Sequence, residues 1–181
     1  TMQSSTLSDN SAIGGLGSYG GSGLGGAVFN LNGAVSLLHC TLANNSVGGG
    51  RGVGSNVGTA RGAAIYNLAY ALQAPPATLL LQNSIVYGNA ASGGSQFQGT
   101  ASCNFKNVVT GAAESGSDPG FLKLNPDLDE SFRMRATSDN TACCIDKVTP
   151  VTGETLPSRD VDGTTRPQNS KWDIGASELK K

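Results

Sequence analysis

With 181 residues, 26 glycines, 38% hydrophobic and only 14% charged residues, the chain is too apolar to be disordered and too glycine-rich to be mainly helical. Its formal net charge of −1 includes no run of Lys and Arg, which excludes nucleic acid as an expected partner. No apolar stretch approaches the roughly 18 to 20 residues that cross a bilayer, so membrane insertion is not expected either.

In chain order, residues 1–12 read as the end of a repeat. They lack the basic start and apolar centre of a signal peptide, so a processed product or an excised piece of a longer protein is expected. Residues 13–26 are a loop too rich in glycine to favour a strand and too long for a hairpin. A strand at 27–30, a turn at 31–34 and strands over 35–42 follow. Residues 48–62 form a second glycine-rich loop at the same point of the repeat, so the two loops should stack side by side. After a strand at 63–67, residues 69–77 insert Pro75-Pro76, which forbids ladder pairing and predicts a bulging corner. Residues 79–89 carry the next strands. The stretch 90–94 leads to Phe97 and to a last, irregular coil at 103–109.

The repeat itself is explicit. Shifting residues 35–45 by 44 positions lays them on 79–89, apolar on apolar and Asn on Asn, and a further shift of 35 aligns residues 5–10. A core column of Leu7, Leu42 and Val86 results, beside a small column of Ser5, Cys40 and Ser84 and an asparagine column of Asn10, Asn45 and Asn89. Stacked coils put like over like, so the asparagines are expected to form an amide ladder. The predicted fold is all-β: a right-handed parallel β-helix, or solenoid, of about three to four coils.

Charge divides the chain. Residues 1–109 hold only Asp9, Arg51, Arg61 and Lys106, whereas 110–181 hold the other 21 charged groups. Residues 1–109 therefore read as coils and 110–181 as an irregular C-terminal cap that covers an open end of the solenoid. Cys40 is expected to be a buried, reduced small hydrophobe. Cys103, Cys143 and Cys144 are disulfide candidates, with Cys103 bridged to one of the vicinal pair, which implies an oxidising setting.

Gly-Gly-Ala-Val-Phe-Asn (25–30) and Ala-Ala-Ile-Tyr-Asn (63–67), each followed by a run ending in Asn45 or Asn89, resemble the right-handed parallel β-helix repeats of large bacterial surface proteins. They are also similar to the repeats of chlamydial polymorphic outer-membrane proteins. The tail elements Asp118-Pro119-Gly120-Phe121, Ser131-Phe132-Arg133-Met134, Cys144-Ile145-Asp146, Asp160-Val161-Asp162-Gly163-Thr164-Thr165-Arg166-Pro167 and Asp173-Ile174-Gly175-Ala176-Ser177-Glu178 come in the order found at the end of β-helix domains of the choice-of-anchor group. The resemblance implies a secreted or cell-surface protein. It does not imply one activity.

Lyase chemistry needs a base beside a cation that neutralises a sugar carboxylate. The coils offer His39, Arg51, Arg61, Tyr66, Tyr87 and Lys106 but a single acid, Asp9. His39 falls between two inward positions and is expected to face solvent. Arg51 and Arg61 bracket the second loop and are expected to keep it soluble. In the tail, Asp160, Asp162, Arg166, Asp173 and Glu178 make up a polar face available to a ligand, with Arg166 expected to pair with Asp146 or Asp173. Asp160-x-Asp162-Gly163 begins like a calcium loop but lacks the third acid and the distal Glu, so no metal or cofactor is expected, with calcium the one alternative kept. No catalytic residue is assigned. The expected function is a noncatalytic extracellular or cell-surface structural or adhesive module. Its partners are a second copy joined end to end, further N-terminal coils, a polysaccharide or a host cell surface. The alternative is a carbohydrate-active enzyme, as a lyase or glycoside hydrolase fragment, or a carbohydrate-binding module.

Overall fold

Strands here are short because the sequence places residues that tolerate left-handed backbone every few positions. The computed structural model describes residues 1–70, 76–92, 96–99, 102–110, 118 and 120–180. Residues 71–75 of the predicted corner at 69–77 lie outside these residues, as does most of the stretch between 110 and 120. Within them the protein is all-β, with one short helix, Ser138–Cys143, capped by the Thr137 side chain.

All the strand-to-strand pairings among the described residues are parallel, and they fall into four separate sheets. The largest combines Met2–Gln3, Thr6–Ser8, Ala34–Leu38, Thr41–Ala43, Thr78–Tyr87, Ser102–Val109 and Phe121–Leu122. A second holds Val28–Leu31, Ile65–Leu68 and Phe97–Gly99, and a third Ser11–Ile13, Ser46–Gly48 and Ala90–Ala91. Gly23–Leu24 and Ala60–Arg61 form the fourth. Neighbouring strands are a whole repeat apart: Leu42 pairs with both Leu7 and Val86, and Leu81 with both Leu37 and Phe105.

Two corners recur from pass to pass. One column is Ser4, His39, Asn83 and Asn107, with φ of 43°, 50°, 50° and 53°; the other is Asp9, Asn44 and Gly88, with φ of 56°, 56° and 69°. Asn, Asp and Gly accept this conformation at low cost, which is why they mark the bends.

The two glycine loops lie against each other backbone to backbone. Gly14 N–H donates to Gly48 O, Gly50 N–H to Gly21 O and Gly23 N–H to Thr59 O, at 2.8–2.9 Å. A Cβ on Gly58 would lie 1.8 Å from Gly21 O, so only glycine permits this approach. Close packing also overrides propensity at Gly23–Leu24, inside a stretch expected to be loop, where it forms a paired strand.

Inside the sheets, Leu37, Cys40, Leu42, Ile65, Leu79, Leu81, Val86 and Val108 form one apolar cluster. Ile85 and Val109 belong to another, with Met134, Cys143, Cys144, Val148 and Ile174 of the tail. The position of the tail follows from this second cluster. Phe121–Leu122 extends the largest sheet beyond Ser102–Val109, and Met134, Cys143, Cys144, Val148 and Ile174 of the tail pack with Ile85 and Val109 of that sheet. It reaches back as far as Ser4, whose Oγ donates to Arg159 O.

The cysteine pairing differs from expectation. Cys143 is bridged to its neighbour Cys144, and both are buried where the helix ends. Cys103 is turned elsewhere, with its sulfur 3.6 Å from Asn67 Nδ2, and Cys40 is a buried thiol.

Candidate functional site

The tail meets the corner column at a buried polar centre. Asp160 starts a tight turn: its Oδ1 accepts the N–H groups of Asp162 and Thr164, at 2.9 and 2.7 Å, and its Oδ2 accepts that of Glu178 at 2.9 Å. Glu178 in turn accepts the N–H groups of Gln168 and Asp173 at 3.0 and 3.1 Å. Asp173 accepts those of Asp146 and Leu179 at 2.7 and 2.8 Å. Three carboxylates thus hold seven backbone donors and fix the path of an irregular chain that has little secondary structure to satisfy them.

Arg166 fills the space between these acids and the His39 corner of the largest sheet. Its Nη2 donates to Gly175 O at 2.8 Å, its Nη1 lies 2.9 Å from His39 Nδ1, and its Nε faces Glu178 Oε2 at 3.5 Å, an ion pair outside hydrogen-bond geometry. The same Nδ1 lies 3.1 Å from the Asp173 backbone O, and Nε2 lies 3.1 Å from Nδ2 of Asn83, whose Oδ1 accepts from Asn107 Nδ2 at 3.0 Å. Burial, aided by Arg166, lowers the His39 pKa to about 3. Burial also pushes Asp173 and Glu178 up and Arg166 down, while the facing acids pull Arg166 back.

Several expectations change here. His39 is 1% exposed: its ring lies against Arg166 and Asp173 of the tail, which cover it. Asp160, Arg166, Asp173 and Glu178 are buried as well and do not line a ligand face, because their polar atoms hold the tail together. Asp162 alone of the five is at the surface, where it takes both Nε and Nη2 of Arg133, at 3.0 and 2.6 Å. The partner of Arg166 is Glu178 rather than Asp146 or Asp173. The oxygens of the calcium-like Asp160-x-Asp162 start are thereby directed to backbone N–H groups and to Arg133.

The asparagine column is a directed chain of amides. Asn10 Nδ2 donates to Asn45 Oδ1 at 2.9 Å, Asn45 Nδ2 to Asn89 Oδ1 at 2.8 Å and Asn89 Nδ2 to Gln96 Oε1 at 2.8 Å. Each acceptor oxygen of Asn45 and Asn89 also takes the backbone N–H of the preceding asparagine. Sequence reading passed over Gln96, although it is an amide side chain shortly after the last asparagine of the column. A second pair, Asn30 Nδ2 to Asn67 Oδ1 at 2.6 Å, was visible in the Phe/Tyr-Asn recurrence.

Of the other basic and aromatic residues, Lys106 faces Glu154 at 3.6 Å, Tyr66 stacks on Phe29 with ring centroids 5.7 Å apart, and Arg51 and Arg61 are exposed at the loops. Tyr87 lines a cleft of about 390 Å³ between the Asn44/Gly88 corner and the tail turn 126–132. Asp127, Asp129 and Phe132 form its other wall. Asp129 Oδ1 accepts the N–H groups of Ser131 and Arg133, and the turn it closes holds Phe132 at φ 60°, a conformation rare for an aromatic residue.

The geometry defines an all-β protein of parallel sheets, with a tail fastened to their flank by a buried ionic centre. A comparison with protein-family models finds no match, and comparisons with curated proteins and with solved structures find no significant one. The resemblance to surface-protein repeats is therefore carried by the chain's own motifs and by the parallel pairing.

Proposed function

We propose that the sheets are the faces of a right-handed parallel β-helix, that the chain is a noncatalytic structural or adhesive module, and that it acts in a secreted or cell-surface setting. The observation that carries this reading is the fate of the buried acids. Asp160, Asp173 and Glu178 each accept two or three backbone N–H groups, so the acids best shielded from water organise the chain rather than await a substrate. The Cys143–Cys144 bridge supports an oxidising environment.

Self-association belongs to the same proposal. Met2–Gln3, Thr6–Ser8, Ser11–Ile13, Gly23–Leu24 and Val28–Leu31 each pair on one side among the described residues, and Asn10 heads the amide chain as a donor. An edge of this kind accepts another parallel layer, from a second copy or from further coils. Sedimentation over a wide concentration range tests it: association that a charged substitution at Thr6 abolishes supports the reading, and a strict monomer at all concentrations removes this part.

A second reading rests on the 390 Å³ cleft, whose aromatic walls and carboxylates suit a neutral sugar. Under it, Tyr87 and Phe132 provide the apolar surface, and the carboxylate oxygens of Asp127 and Asp129 accept hydrogen bonds from sugar hydroxyls. Incubation with pectin, alginate and neutral glycans separates the readings: product release supports an enzyme, retention without turnover a binding module, and neither outcome the structural role.

A further inference from the structure

The two stacked glycine loops present apolar side chains to water. Ile13, Leu16 and Tyr19 on the first and Val53 and Val57 on the second are 63–84% exposed. They belong to one tip, since Gly17 N–H donates to Arg51 O, Val53 N–H donates to Ser18 O, and Arg51 bridges Val57 across the second loop. An isolated exposed leucine needs no explanation, but five large apolar residues gathered on one hydrogen-bonded tip do.

Shape and charge narrow what this tip can meet. A Cβ on Gly15, Gly17, Gly48 or Gly54 would touch nothing within 4 Å, so the backbone projects into open space and the surface is convex rather than a groove. Between Asn10 and Tyr70 the only formally charged side chains are Arg51 and Arg61, both exposed. The loops carry no acid. Backbone hydrogen bonds between the loops hold the tip in place before anything binds, which lowers the ordering cost of binding.

We propose that this tip docks on an anionic lipid surface, with the apolar side chains entering the headgroup boundary and Arg51 and Arg61 meeting lipid phosphates. A deformable, negatively charged layer suits a rigid convex apolar tip flanked by cations. A symmetric contact between two copies fits less well, because an isologous interface would bring both arginine pairs onto one patch with no acid to offset them. The contact is peripheral. It is independent of whether the coils form a β-helix and of whether the chain is catalytic.

Co-sedimentation of the full chain with phosphatidylcholine vesicles, with and without phosphatidylglycerol, tests the proposal. Partitioning onto the phosphatidylglycerol vesicles that weakens with salt is expected. The Leu16→Ser, Tyr19→Ser double variant should partition at least roughly tenfold more weakly, and Arg51→Gln and Arg61→Gln roughly fivefold each, on anionic vesicles only. All these side chains are exposed, so unchanged melting temperatures serve as the folding control. Absence of vesicle binding overturns the proposal, as does equal binding by the double variant. A dimer lost in the double variant, without vesicle binding, would make the tip a self-contact. Retention on a soluble anionic polysaccharide without vesicle binding would make it a glycan site. Either result also overturns the lipid proposal.

Discussion

Arg166 Nη1 lies 2.9 Å from His39 Nδ1, joining residues 127 positions apart in a site almost closed to water. Arg166→Ala leaves Glu178 as a buried carboxylate without its counter-ion, and a loss of about 3–5 kcal/mol is expected in urea unfolding. Adding Glu178→Gln should recover part of that loss. A single-variant cost below about 1 kcal/mol would contradict the placement of this pair.

The same contact sets a pH dependence. His39 has a folded pKa of about 3 against an ordinary 6.5, so between these values the unfolded chain binds a proton that the folded chain refuses. Its contribution is fully present above pH 6.5 and is lost as pH falls towards 3. Asp173 and Glu178, raised by burial, act in the opposite sense: their contribution is present at low pH and is lost as pH rises from their ordinary range to their raised values. A difference measurement isolates the ring. Wild type should lose up to about 1.4 kcal/mol more per pH unit than His39→Asn across the upper part of the window, and parallel profiles would refute the buried neutral imidazole.

Asn45 is the middle of the amide chain and is fully buried. Asn45→Ala removes an acceptor used by two donors of Asn10 and a donor used by Leu7 O, so a loss of about 2–3 kcal/mol is expected from chemical denaturation. A cost like that of an ordinary surface turn, under about 0.5 kcal/mol, would show that the ladder does not hold the passes together.

Two glycine substitutions separate packing from composition. Gly58→Ala places a methyl 1.8 Å from Gly21 O and should cost about 1–3 kcal/mol, whereas Gly15→Ala meets open space and should be neutral in thermal melts. Equal effects would mean that the loops are not stacked.

Thiol counting distinguishes the cysteine arrangements. Exposed Cys103 should react in the native protein, Cys40 only after unfolding, and Cys143 and Cys144 only after reduction. A bridge from Cys103 to the vicinal pair would instead leave Cys103 unreactive until reduced.

What could be read from sequence is what parallel stacking repeats. Shifts of 35 and 44 place Leu7, Leu42 and Val86 in one column because parallel neighbours a whole repeat apart face the same environment. The recurring Asn positions and the alignment of the two loops have the same origin. The tail has no period, and its chain is held by side chain to backbone bonds rather than by a ladder, so nothing local announces that Asp173 and Glu178 are buried. His39 illustrates the limit: its place between two inward positions is legible in the repeat, but the cover over it comes from Arg166. The disulfide departs from the expected pairing because it joins adjacent residues, Cys143 and Cys144, rather than distant elements.

Nuclear Overhauser contacts among the methyl and backbone protons of Leu7, Leu42 and Val86, and among the side-chain amides of Asn10, Asn45 and Asn89, test the stacked parallel passes most directly. The account predicts contacts between residues 35 and 44 positions apart, in register along both columns. Contacts that instead join strands adjacent in sequence, as in antiparallel hairpins, would contradict it.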